Sequence, residues 1–127
     1  MKALIIEDHD VYREMLESTL SRAAFDTVAV RNAHDLPAAT AQGPPQLAIV
    51  DWLLGSEKTG SDAARELRDL CPGIRTILIT GYPIDLVQQR AAGSGIDAIL
   101  AKPFSSKDLL DAVARVLAAD GSPEAPM

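Results

Sequence analysis

The sequence predicts an α/β protein with a five-stranded parallel sheet and helices on both faces. Short runs of Val, Ile, Leu and Ala recur along the chain with little polar alternation, as in strands that are buried on both faces. Longer amphipathic stretches separate these runs, as helices would. The chain has 127 residues, 47% of them hydrophobic, which fits one domain with a sizeable core.

Five β-α units follow one another along the chain. The predicted strands cover residues 3–6, 27–30, 47–50, 76–79 and 98–100. The first helix, over about 10–24, has an apolar face made of Tyr12, Met15, Leu16, Thr19 and Ala23. The second, over 35–41, carries Pro37, which is tolerated only near a helix start.

Turn and capping residues bound the other three helices. The third follows Gly60 and ends at Pro72-Gly73, whereas the fourth runs from near Pro83 to Gly93. The third is expected to face the core with Ala63, Ala64, Leu67 and Leu70. The fifth begins with Ser105 and Asp108 at the spacing of a capping box. Its apolar stripe consists of Leu109, Val113, Val116 and Leu117.

Composition restricts the class of protein. We expect one domain over 1–120 and a flexible tail or truncated linker over 121–127, where no periodic pattern is present. The net charge of -6 argues against direct binding of nucleic acid, which needs a basic face. The apolar start reaches Glu7 too soon for a signal peptide or a membrane span, so a soluble cytoplasmic protein is expected.

Polar side chains follow the predicted strands at their carboxyl ends. Glu7 and Asp8 follow the first strand, Asp51 the third, Thr80 the fourth and Lys102 the fifth. In open parallel sheets, ligands bind at this edge, near the point where the strand order reverses. For a strand order of 2-1-3-4-5, that point lies between the first and third strands, which carry the three carboxylates.

This set of residues suits metal-assisted phosphoryl transfer. Carboxylates that lie close together repel one another, and a bound cation removes the conflict. Oxygen ligands favour Mg²⁺ or Mn²⁺, and the sequence has no Cys/His cluster for zinc. Lys102 would then neutralise phosphoryl charge, Thr80 would donate a hydrogen bond, and Asp51 would be the nucleophile.

Each of these residues also has an ordinary structural explanation. A single acid after a strand usually caps a helix or lies in solvent, Thr80 alone could cap the fourth helix, and a lone Lys102 is more often a surface lysine. Their joint occurrence in this order is what favours a functional site. Lys102 is also followed by Pro103, and a cis bond there can aim the lysine side chain.

The chain resembles the receiver domains of two-component response regulators over nearly its whole length, to about Leu117. The resemblance rests on Ile5-Ile6-Glu7-Asp8, Val50-Asp51, Ile79-Thr80-Gly81 and Lys102-Pro103-Phe104. It implies a flavodoxin-like fold and transfer of a phosphoryl group from a sensor histidine kinase or a histidine phosphotransfer protein. It also implies a cytoplasmic switch that assists its own aspartyl phosphorylation and dephosphorylation and is not an enzyme in its own right.

The resemblance assigns a role to each candidate residue. Asp51 corresponds to the phosphoacceptor, and Thr80 and Lys102 to contacts of the phosphoryl group. Glu7 and Asp8 correspond to the acidic pair that binds Mg²⁺ together with Asp51. The backbone carbonyl of Leu53 corresponds to a further protein ligand of the metal.

Two positions, Ile99 and Gly55, distinguish this chain from the usual family pattern. Ile99 stands where an aromatic residue is usual, so the coupled movement of hydroxyl and ring is expected to be muted or replaced. Gly55 stands where a Pro is common. Leu53 and Tyr82 are bulky residues beside the acceptor and Thr80, and we expect them to slow hydrolysis of an aspartyl phosphate.

The function remains open between several classes at this point. A switch would change the face formed by the fourth helix, fifth strand and fifth helix, for a partner protein or for a homodimer. Alternatives are a phosphorelay intermediate, a receiver-like adaptor that is never phosphorylated, or a fragment of a longer protein. An aspartate-nucleophile phosphatase would need a second acid where Leu53 stands, and a nucleotide- or flavin-binding protein would need a phosphate loop in place of Glu7 and Asp8.

Overall fold

The computed structural model describes residues 1–53 and 58–118. The strands are β1 (Lys2–Ile6), β2 (Asp26–Val30), β3 (Leu47–Asp51), β4 (Arg75–Thr80) and β5 (Ala98–Ala101). The helices are α1 (Asp10–Arg22), α2 (Leu36–Thr40), α3 (Gly60–Leu70), α4 (Ile84–Arg90) and α5 (Ser106–Ala118). The predicted tail over 121–127 and the residue Gly55 lie outside the described ranges.

The five strands form one sheet in the order β2-β1-β3-β4-β5, and every pairing is parallel. This confirms the predicted fold class and strand order. All residues of the central strand β3 are buried, which explains why its sequence shows no polar alternation. Among the described residues, no helix is long and apolar enough to cross a membrane.

Alternate residues of the strands pack into two separate apolar layers. Ile5, Ile49 and Ile77 face one layer, where they meet buried residues of α1 and α5. Val50 and Leu78 face the other layer, where they meet residues of α2, α3 and α4. Helices therefore cover both faces of the sheet, as the uninterrupted apolar runs predict.

Two residues predicted to face the core are exposed, and both lie at helix ends. Ala23 is the C-cap of α1, where the chain leaves the helix, and the buried residues of that last turn are Thr19 and Leu20. Leu70 is the last residue of α3 and is 38% exposed, because Cys71 occupies the buried position next to it. Trp52, which follows β3 directly, is buried.

Side-chain caps fix where the site-bearing helices begin. The capping box predicted for α5 is confirmed, since Ser105 and Asp108 each accept a hydrogen bond from the other's backbone N–H at 3.0 Å. A second capping box, between Thr59 and Asp62, starts α3. Both helices thus begin at defined residues beside the carboxyl edge of the sheet.

Gly60 allows α3 to begin directly against the end of β3. Its N–H donates to the carbonyl of Trp52 at 2.8 Å. A Cβ on Gly60 would lie 2.6 Å from the carbonyl oxygen of Asp51 and 2.6 Å from a methyl carbon of Leu78. Only a residue without a side chain fits this contact between backbones.

We therefore expect Gly60→Ala to lower the free energy of unfolding by about 2 kcal/mol, because the added methyl group must displace β3 or α3. Gly81→Ala is the matched control, since a Cβ there meets no atom within 4 Å. Urea titrations of both variants measure the difference. Equal stability of the two variants would show that the Gly60 contact relaxes at no cost.

Candidate functional site

Three carboxylates meet at the carboxyl edge of the sheet. Glu7 and Asp8 follow β1, and Asp51 ends the neighbouring strand β3. Each offers one oxygen, and these oxygens lie within 4.8 Å of one another. Glu7 and Asp51 are buried, whereas Asp8 is exposed, so the cluster opens to solvent on one side.

The ammonium group of Lys102 lies against the two buried acids. Its Nζ is 2.9 Å from Oε1 of Glu7 and 3.4 Å from Oδ1 of Asp51. The backbone N–H of Lys102 donates to the carbonyl of Thr80 at 2.7 Å, and the bond to Pro103 is cis. The chain thus directs the lysine from the end of β5 into the carboxylate cluster.

Burial and a neighbouring negative charge give Asp51 a higher pKa than an ordinary aspartate. Burial, and then the negative charge of Glu7, raise the pKa of Asp51 to about 7, while Lys102 opposes the change. For Lys102, burial opposes protonation, but the carboxylates of Glu7 and Asp51 outweigh it and raise the pKa of the ammonium group. One lysine thus offsets only part of the negative charge collected here.

The donor set fits a divalent cation. Oε2 of Glu7 accepts a hydrogen bond from the N–H of His9 at 3.0 Å, which fixes the carboxylate. Oε1 of Glu7 is buried and pairs with the Lys102 ammonium at 2.9 Å. Three carboxylates that share this single ammonium group form a position suited to a hard cation such as Mg²⁺ or Mn²⁺.

A cleft of about 220 Å³ lies beside Asp51. Its lining includes Leu53, Thr80, Tyr82 and Lys102. The hydroxyl oxygen of Thr80 accepts the N–H of Tyr82 at 2.8 Å, and its O–H can still donate to a group in the cleft. The cleft therefore presents a hydroxyl donor and an ammonium group next to a carboxylate.

The bulky residues predicted to shield this site line its cleft. Leu53 is 47% exposed and Tyr82 is 46% exposed, so both apolar surfaces meet solvent at the cleft. Leu53 also pairs with Thr59 in an isolated antiparallel bridge, which holds its backbone next to Asp51. The ligand role of the Leu53 carbonyl and the effect of both side chains on hydrolysis stay predictions.

Ile99, which stands at the usual aromatic position, is half-buried on β5. It packs against the apolar layer that α2, α3 and α4 cover, and it pairs in register with Leu78. An aliphatic side chain thus occupies the α4 side of β5.

Two residues near the site were not predicted from the sequence. The guanidinium of Arg13 donates to the carbonyls of Glu7 and Asp8 at 3.1 and 3.4 Å, and pairs with Asp10. Tyr12 places its ring 4.5 Å from Nζ of Lys102. Both lie in the first turn of α1. Their closeness in sequence to the acidic pair was the one feature that could have indicated their place near the site.

The profile of the response regulator receiver domain matches residues 3–114 of the chain. The chain belongs to this family. The match covers most of the sequence and includes all the residues that converge at the carboxyl edge.

Curated proteins that are similar to this chain in sequence are also response regulators. VraR of Staphylococcus saprophyticus is 28% identical over 122 residues, covering 89% of this chain and 54% of that protein. VraR of Staphylococcus aureus gives the same identity and coverage. This receiver domain thus spans about half the length of the curated relatives it matches.

Solved structures agree on the fold. A response regulator from Burkholderia pseudomallei with a phosphorylated aspartic acid, a calcium ion and citrate has a TM-score of 0.79 and 26% identity, over 99% of this chain and 75% of that one. NtrX from Brucella abortus has a TM-score of 0.84 and 24% identity, over 93% of this chain and 27% of that one. CheY4 of Vibrio cholerae, at 21% identity, has a TM-score of 0.82, over 91% of this chain and 97% of that one. The latter two show the flavodoxin-like architecture alone.

The raised pKa of Asp51 predicts how stability of the metal-free receiver domain depends on pH. The folded protein holds the Asp51 proton more tightly than the unfolded chain, so the free energy of unfolding falls between about pH 4 and 7 through this group. Asp51→Asn removes the effect. We expect the variant to be more stable than wild type at pH 8, because it lacks the unfavourable negative charge of Asp51. The gain should be on the order of 1–3 kcal/mol, since solvent at the open side of the site screens the charges.

Urea titrations at pH 5 and pH 8 in the presence of EDTA measure this difference. The advantage of Asp51→Asn should shrink at pH 5. Glu14→Gln, which removes an exposed carboxylate on α1, is the control and should change little at either pH. If Asp51→Asn is no more stable than wild type at pH 8, Asp51 is not destabilised by its surroundings.

Proposed function

We propose that this receiver domain accepts a phosphoryl group on Asp51, with the help of Mg²⁺ or Mn²⁺, from a sensor histidine kinase or a histidine phosphotransfer protein. One observation carries the proposal. The Asp51 carboxylate lies at a cleft within reach of a lysine ammonium and of two further carboxylates. This arrangement combines a nucleophile, a fixed positive charge and a cation site around one small space.

Asp51 is the nucleophile in the proposed step. One of its carboxylate oxygens forms a bond to phosphorus while the bond from phosphorus to the histidine nitrogen breaks, and the nitrogen keeps the electron pair. Lys102 stabilises the negative charge on the phosphoryl oxygens, and the hydroxyl of Thr80 donates to one of them. The family to which the chain belongs and the phosphorylated aspartic acid in the Burkholderia pseudomallei protein support this assignment.

The electrostatics of the site support the proposed role of a cation. Without one, burial and Glu7 leave Asp51 partly protonated near neutral pH, and a protonated carboxyl group is a poor nucleophile. A cation held by Glu7, Asp8, Asp51 and the carbonyl of Leu53 would keep Asp51 ionised and neutralise phosphoryl charge. Lys102 and Thr80 cannot take the place of the cation. The ammonium group of Lys102 is already shared between two acids, and the hydroxyl of Thr80 carries no charge.

The output proposed for this switch is protein binding. The face formed by α4, β5 and α5 includes the exposed leucines Leu86 and Leu110, and β5 is an edge strand. A partner protein or a second copy of the chain would bind there when phosphorylation shifts the equilibrium between two conformations. We propose no direct binding of nucleic acid, because the chain carries a net charge of -6, and no enzymatic activity on other substrates.

The first test is the intact mass of the protein after incubation with acetyl phosphate. With Mg²⁺ we expect one phosphoryl adduct, because the cation ionises Asp51 and acetate replaces histidine as the leaving group. The adduct should be absent with EDTA and absent in Asp51→Asn. Asp69→Asn makes the same chemical change at an exposed aspartate of α3 and should leave the adduct intact.

Each result of this test distinguishes between the functions considered for this domain. An adduct that survives in Asp51→Asn would place the acceptor elsewhere. No adduct under any condition would favour an adaptor that is never phosphorylated. Transfer of the adduct's phosphoryl group from Asp51 to an added histidine phosphotransfer protein would identify a phosphorelay intermediate.

Leu53 and Tyr82 predict a long-lived phosphoryl group, because their side chains hinder a water molecule from lining up behind phosphorus. We expect Leu53→Asn combined with Tyr82→Ser to accelerate loss of the adduct roughly tenfold, since alignment of the attacking group controls such rates. The decay is followed by intact mass after acetyl phosphate is removed. Leu110→Asn, on the exposed face of α5, is the control. A wild-type lifetime of seconds, unchanged by the double substitution, would refute the role of both side chains.

A further inference from the structure

The ammonium group of Lys102 has a third neighbour besides the two acids. Its Nζ lies 4.5 Å from the centroid of the Tyr12 ring, over the face of that ring. The face of an aromatic ring carries partial negative charge and attracts cations at this distance. The attraction is strengthened where water is excluded, and the Lys102 side chain is only 17% exposed.

Two other rings hold Tyr12 in this position. Phe104, two residues after Lys102, lies 5.7 Å from the Tyr12 ring, centroid to centroid, at an interplanar angle of 39°. His9 packs edge-on against the same ring at 5.6 Å, and its Nδ1 accepts the N–H of Tyr12 at 3.5 Å. Phe104 itself packs against the apolar layer between the sheet and helices α1 and α5. The ring of Tyr12 is thus held by two aromatic neighbours, His9 and Phe104.

We propose that Tyr12 is a positioning residue that holds the Lys102 ammonium toward Asp51. The inference rests on the proposed phosphoryl transfer, in which Lys102 acts on the transferred group. The Lys102 side chain is long and flexible, so a free ammonium group would sample many positions.

The ring differs from the other two partners of Lys102 in one respect. Glu7 and Asp51 belong to the carboxylate cluster, so they exchange partners whenever a cation or a phosphoryl group occupies the site. The Tyr12 ring has no net charge and lies outside that cluster. It therefore retains its attraction for the ammonium group while the partners of the carboxylates change.

Tyr12 could instead contribute only apolar packing at the start of α1. The two roles are separated by Tyr12→Phe and Tyr12→Leu, because both variants keep an apolar side chain and only the first keeps an aromatic face. Tyr12→Met provides a second non-aromatic variant with a flexible side chain if the leucine variant is poorly folded. Urea titrations establish that the variants compared have similar stability.

The first readout does not depend on phosphorylation. In the metal-free protein, the Lys102 CεH₂ signals, assigned by comparison with Lys102→Arg, should be shifted upfield by the ring current of Tyr12. We expect this shift to remain in Tyr12→Phe and to disappear in Tyr12→Leu and Tyr12→Met. Absence of the shift in wild type would overturn the proposal directly.

The second readout is the initial rate of phosphorylation by acetyl phosphate with Mg²⁺. We expect Tyr12→Phe to stay within about twofold of wild type, and the non-aromatic variants to fall about fivefold, in line with a partly desolvated cation–π contact. If wild type is phosphorylated and all Tyr12 variants react at the same rate, the positioning role is wrong and the proposed function stands. If wild type is never phosphorylated, the proposed function fails and the positioning role fails with it.

Discussion

Parallel pairing of β1 with β3 brings two buried carboxylates together at one end of the sheet. The register from Ala3 opposite Leu47 to Ile6 opposite Val50 leaves Glu7 and Asp51 as the next residues of the two strands. The repulsion between these two carboxylates in a poorly solvated place lowers the stability of the folded protein. The position of Lys102, the proposed cation site and the chemistry proposed for Asp51 all depend on this juxtaposition.

The apolar part of the fold keeps the unfavourable cluster in place. The strands are buried between two helical layers, so the carboxyl ends of β1 and β3 cannot move apart without loss of core packing. Gly60 brings α3 against the backbone of Asp51, and the capping boxes fix where α3 and α5 begin. Functional sites commonly combine local instability with a rigid surrounding structure of this kind.

The contacts around the cluster form two groups with different tasks. Arg13 binds the backbone carbonyls of Glu7 and Asp8, so it fixes the loop that carries the acidic pair. Tyr12, supported by Phe104, places its ring over the ammonium group of the lysine. Both groups begin in the first turn of α1, so this turn connects the acidic pair with the lysine of the cluster.

The sequence by itself determined the fold class and the identity of the converging residues, and its resemblance to receiver domains supplied the flavodoxin-like strand order. Strand runs without polar alternation can be buried only between two layers, and a polar residue that ends a parallel strand must lie at the carboxyl edge. Glu7, Asp8, Asp51, Thr80 and Lys102 were therefore identifiable from their places alone. Periodicity was less reliable at helix ends, where Ala23 and Leu70 left the buried face because the helices stop there.

Only the tertiary structure decided how these residues interact. Spacing along the chain does not show that Glu7 Oε1 pairs with the Lys102 ammonium, that Asp51 has a raised pKa, or that an aromatic ring of α1 lies over Lys102. These properties depend on burial and on distances between side chains that are up to 95 residues apart in sequence, as for Glu7 and Lys102. Such distances are set by the packing of helices on the sheet, which local sequence patterns do not encode.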